Sequence, residues 1–73
     1  MSIFDSKNKD WMYWSNRFDD LNLGFTDSIY KLSADELEAL VRELAAAQEA
    51  GELNLETNEG VENLQRIMEK HGA

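Results

Sequence analysis

The chain has 73 residues, no cysteine and no proline, and a formal net charge of −8 from 15 acidic and 7 basic side chains. That length allows one domain, and a domain so short buries only about 60% of its unfolded surface, so its stability is marginal. The lack of cysteine excludes disulfide staples and cysteine-rich zinc sites, and it makes a reducing cytoplasm the simplest home.

The charge argues against direct binding of a nucleic acid backbone or an anionic membrane, because both need Lys and Arg. It favours attraction to a basic protein surface. The simpler reading is that acidity keeps a small protein soluble. The opening "MSIFDSKNKD" is polar and charged, unlike a signal peptide, and no apolar run approaches the roughly 18 residues of a membrane span.

In chain order, Asp5 or Ser6 is placed to cap a helix starting near Lys7. In "KNKDWMYWSNRFDDLNLG", Trp11, Trp14, Phe18 and Leu21 fall at offsets 0, 3, 7 and 10, which is one helical stripe. The first helix is expected over about 7–22, with Gly24 as the left-handed residue past its end. The Asn and Asp residues at 16, 19, 20 and 22 weaken its second half. "FTDSIYKL", residues 25–32, reads either as a short helix capped by Thr26 or Asp27 or as a short extended piece.

The clearest element follows. Ser33 and Glu36 have capping-box spacing, with Leu32 and Leu37 placed as a hydrophobic staple. Leu37, Leu40, Val41, Leu44 and Ala45 give offsets 0, 3, 4, 7 and 8, so a helix is expected over 34–49, closed by Gly51. "ELNLE", residues 52–56, alternates, as a strand pairing with residues near 29–31 or as a linker. Thr57 or Asn58 then caps a last helix over about 59–70, with Val61, Leu64, Ile67 and Met68 on one face and Gly72 at its end. His71 reads as a solvent-exposed residue at that end. The expected fold is mainly α: a compact three-helix domain, with room for a minor two-stranded extended pair.

Catalytic and metal motifs are missing. Adjacent acids such as Asp19–Asp20 and Asp35–Glu36 read as solvated or capping charges rather than an acid–base pair, which needs a cleft and separated pKa values. A lone His without Cys or clustered acids makes a poor metal site. "NLETNEGVENLQ" fails as a calcium loop, because its closing position is Gln65 and its Gly60 comes one place late. No enzyme activity, metal or cofactor is expected.

"LGFTDSIYKL" resembles the signature of acyl and peptidyl carrier proteins, which are also small, acidic and helical. The resemblance implies a phosphopantetheine arm on Ser28, preceded by the signature acid Asp27. It covers about ten residues. An extra residue separates Gly24 from Asp27, and the helix that begins at the serine in that family is cut short here by the new cap at Ser33.

"KDWMYWSNRFDD" holds both tryptophans, a tyrosine and a phenylalanine. Trp11, Trp14 and Phe18 are expected in the core, since each aromatic can bury about 150–250 Å². Met12 and Tyr13 lie off the stripe. With Asp10, Asp19 and Asp20 around them they form the candidate partner-binding surface, an apolar centre ringed by carboxylates. Lys7, Lys9 and Arg17 are too few to make a basic groove for nucleic-acid stacking. A second acidic row runs through Asp35, Glu36, Glu38, Glu43 and Glu49 and on through Glu52, Glu56, Glu59, Glu62 and Glu69. It reads as an ordinary polar face or as a mimic of nucleic-acid phosphates.

In length, acidity and lack of cysteine, the whole chain resembles the small proteins that bacteriophages make to seize host enzymes. Among these it is similar to the short RNA-polymerase-binding transcription regulators of the Xanthomonas phage type. The resemblance implies a non-enzymatic protein of the host bacterial cytoplasm that binds RNA polymerase and modulates initiation or termination. The other expectations kept open are a DNA mimic acting against a restriction or defence enzyme, and an antitoxin.

Overall fold

The computed structural model describes residues 10–73. It has three α-helices, α1 (Trp11–Asp20), α2 (Ala34–Glu49) and α3 (Asn58–Lys70), with a 3₁₀ helix (Thr26–Lys31) between the first two. The mainly α expectation holds. Among the described residues there is no strand, so the minor extended pair is corrected.

The reason is local. Residues 29–31 are wound into the 3₁₀ helix. In the other segment Asn54 folds the chain back: its side chain accepts from the Glu56 N–H at 3.0 Å, and its carbonyl accepts from the Thr57 N–H at 3.0 Å and the Thr57 hydroxyl at 2.8 Å. These bonds occupy groups that a strand partner would need.

Helix α1 is shorter at both ends than its expected 7–22 span. The proposed Asp5 or Ser6 cap lies outside the described residues. At Asp10 the backbone is extended and its carboxylate accepts from the Tyr13 N–H at 3.1 Å, so Asp10 is the N-cap. At the other end Leu21 is the C-cap and Asn22, φ 61°, is the left-handed residue directly after it; Gly24 is left-handed as expected, φ 81°, but two residues further on. Asn tolerates that conformation better than most residues. The Gln48 side-chain amide then donates to the Leu21 carbonyl at 2.8 Å and joins the end of α1 to α2.

The 3₁₀ helix has no side-chain cap. Thr26 and Asp27, both expected as caps, lie inside it, and Phe25 stands at the N-cap position with φ 61°. For α2 the capping box is present in both directions, with the Glu36 N–H on the Ser33 hydroxyl at 3.2 Å and the Ser33 N–H on the Glu36 carboxylate at 2.8 Å. Its end is a Schellman motif in which the Gly51 N–H reaches the Gln48 carbonyl and the Glu52 N–H reaches that of Ala47. Thr57 caps α3 by accepting from the Gly60 N–H at 3.0 Å.

Trp14 and Phe18 of α1, Ile29 and Leu32, Leu37, Leu40, Val41 and Leu44 of α2, and Leu64 and Met68 of α3 build one core. Trp11 packs against this core only partly buried. On α2 the expected Ala45 gives way to Ala47, which is buried. Residue 47 is three past Leu44 and residue 45 four past Val41, so both border the buried stripe, and the packing of the neighbouring elements covers 47 while leaving 45 half-exposed. Gly60 is buried because the loop crosses α3 there, and a Cβ on it would overlap the Asn54 backbone carbonyl.

Candidate docking surfaces

The five residues expected to bind a partner all lie on α1 or at its N-cap, spread along its length. Seven residues of helix, about 10 Å along the axis, separate Met12 from Asp19. Asp10 is exposed and engaged as the α1 cap, and Asp19 and Asp20 are exposed in its last turn. Met12 is 61% exposed. Tyr13 is 37% exposed and meets the Trp14 ring edge-on, with ring centroids 4.9 Å apart. By seven-residue spacing Met12 and Asp19 share one side of α1, and Tyr13 shares the next with Asp20 and, at four-residue spacing, with Arg17.

Among the described residues the most exposed aromatic is Tyr30, at 69%. It stacks on Trp11 with centroids 5.6 Å apart and ring planes 19° from parallel. Trp11 is in turn fixed by its indole N–H, which donates to the Leu32 carbonyl at 2.9 Å. Three successive pieces of chain thus hold one flat aromatic surface at the edge of the core. Sequence reasoning missed Tyr30, because a Tyr in an unassigned eight-residue segment carries no face. The only usable signal was the i,i+2 spacing of Tyr30 and Leu32, and that spacing means a shared face only in a strand.

Ser28 is the third residue of the 3₁₀ helix and is half-buried. With Phe25, Leu64 and Met68 it lines an open cavity of about 320 Å³ between that helix and α3. Asp27 is exposed beside it. No long helix starts at Ser28.

The acidic row is partly engaged in local structure. Glu36 closes the capping box, and Glu38 accepts from the Arg42 Nε at 2.9 Å. Glu43 receives the Lys70 ammonium at 3.1 Å on one oxygen and lies 2.8 Å from the His71 Nε2 on the other. His71 is therefore not the solvent-exposed helix end that its position suggested: its side chain is 16% exposed and bridges α3 to α2. The hydrogen bond from His71, then that from Lys70, holds the Glu43 carboxyl below the usual carboxylate range.

Among the described residues no three His, Asp or Glu side chains gather as metal ligands, and no helix is long and apolar enough to cross a membrane. Comparison with protein-family profiles, curated proteins and solved structures finds no match.

Proposed function

We propose that this chain is a non-enzymatic, protein-binding regulator of the kind its composition resembles, acting on bacterial RNA polymerase. The observation that carries this reading is the Tyr30–Trp11 stack pinned to the Leu32 carbonyl. A large aromatic held rigidly at the surface loses little conformational freedom on binding, which is the property of an interface anchor. Met12, next to Trp11 in sequence, is a second exposed apolar side chain on α1. The net charge of −8 supplies attraction toward a basic partner surface and speeds encounter.

The test is capture from a bacterial lysate on the immobilised protein, with a Tyr30→Ala variant alongside. RNA polymerase should be retained by the native chain, released as salt rises, and retained poorly by the variant. Recovery of neither polymerase nor any other nucleic-acid-handling machine sinks the proposal, and equal capture by the variant removes Tyr30 from it.

The carrier reading draws less support, because Ser28 is half-buried within a 3₁₀ turn rather than at the start of a long helix. Incubation with a phosphopantetheinyl transferase and coenzyme A, followed by intact mass, decides it.

A further inference from the structure

Another part of the surface has the opposite electrostatic character. An open trough of about 410 Å³ runs between α1 and α2, lined by Tyr13, Trp14, Arg17, Val41, Arg42 and Ala45. Its volume is within the range of sites that take small ligands and peptide side chains. The floor is aromatic and aliphatic. Ala45 matters by its size, since a larger side chain at this half-exposed position would fill the space.

Both charged residues of its lining among the described residues are arginines, in a chain where acids outnumber bases by two to one. Arg42 lies over the Trp14 ring, 5.2 Å from its centroid, and gives its Nε–H to Glu38. Its other four N–H donors have no acceptor among the described residues. Arg17 has neither an ion-pair partner nor an acceptor among them. The buried Trp14 indole N–H also lacks an acceptor there.

We infer that this trough docks an acidic peptide segment of a partner protein. One apolar side chain of the segment lies against Trp14 and Ala45, and flanking carboxylates take the Arg17 and Arg42 guanidiniums. Charge complementarity selects this occupant. Guanidinium–carboxylate pairs form two parallel hydrogen bonds, so the arginines fix orientation as well as charge. A basic peptide meets the uncompensated Arg17 guanidinium on the α1 wall, and on the α2 wall it finds Glu38 already taken by Arg42. A nucleic acid brings phosphates every few ångströms along a chain of net charge −8, and two arginines do not offset that. A short peptide carries only one or two carboxylates, and acids of this chain more than about 8 Å away are screened at physiological salt. This site is separate from the Tyr30 surface and does not depend on polymerase as the partner.

A random peptide library displayed on phage, selected against the immobilised full chain, tests the inference. The recovered pool should be enriched in an aliphatic or aromatic residue flanked by Asp and Glu. A synthetic peptide of that consensus should bind about tenfold more weakly when its acids become amides, and about tenfold more weakly to Arg17→Gln. Ala45→Leu should abolish its binding, and the backbone amide signals of Tyr13, Arg17 and Arg42 should shift on titration. Should Ala45→Leu fail to fold, Arg17→Gln, at an exposed helix position, carries the test. A basic pool, an empty pool, or acidic peptides that bind Arg17→Gln as tightly as the native chain would overturn it.

Discussion

The Trp11 indole N–H donates to the Leu32 carbonyl at 2.9 Å, across 21 residues of chain. This bond joins the first turn of α1 to the residue before the α2 capping box, and it sets the plane on which Tyr30 stacks. Trp11→Phe keeps most of the apolar contact but removes the donor. It should lower stability by about 1 kcal/mol in urea unfolding, the usual net value of one such bond. It should also loosen Tyr30, seen as a narrower dispersion of its ring proton signals.

Tyr13→Ala separates a partner-facing role from a structural one. Tyr13 is exposed, and its ring approaches that of Trp14 edge-on. Edge-to-face pairs contribute about 0.5–1.5 kcal/mol. The variant should therefore unfold cooperatively with a loss of that order, measured by denaturant titration. Loss of the folded state would place Tyr13 in the core after all.

Gly60→Ala should reverse the usual sign of a glycine-to-alanine change in a helix. At an open helical site the change gains about 1 kcal/mol. Here the new methyl group meets the Asn54 carbonyl, so the loop must move away from α3. A loss of about 1–3 kcal/mol is expected, as for overpacked interiors. Gly51→Ala is the contrast: nothing crowds a Cβ there, but φ is 78°, so about 1 kcal/mol is lost to backbone strain alone. Thermal unfolding of the two variants distinguishes the mechanisms, because only Gly60→Ala should also disturb the Thr57 cap signals.

Glu43 predicts an acid-side dependence. Its folded-state pKa lies below its unfolded value, chiefly through the hydrogen bond with His71. A group shifted this way stabilises the fold above its unfolded pKa, about 4.3 for Glu, and loses that contribution as pH falls through the lower folded value. The side chains of Glu43 and Lys70 are open to solvent, so the effect is discounted to about 0.5 kcal/mol. Glu43→Gln should be slightly less stable than the native chain at neutral pH, and the two should converge on the acid side of that value. Chemical denaturation at a series of pH values checks the sign.

Part of the local structure, chiefly the two ends of α2, could be read directly from residue spacing. The Ser33–Glu36 box and the Gly51 terminator act within three to five residues, and their donors and acceptors meet whenever that stretch turns helical; for α3 the spacing left Thr57 and Asn58 as alternatives, and the cap is Thr57. The apolar period of α2 likewise marked Leu37, Leu40, Val41 and Leu44 as core before any partner element was known. The remaining features follow from how separate segments pack together. Whether Ala45 or Ala47 is covered depends on which side of α2 receives α1 and α3. Tyr30 became a surface aromatic because Trp11 came to lie beside it, and His71 became half-buried because Glu43 stood opposite. Gly60 is required by a loop crossing that its own helix does not encode. Each of these is a contact between segments whose approach is set by the packing of the whole core, and no local spacing records it.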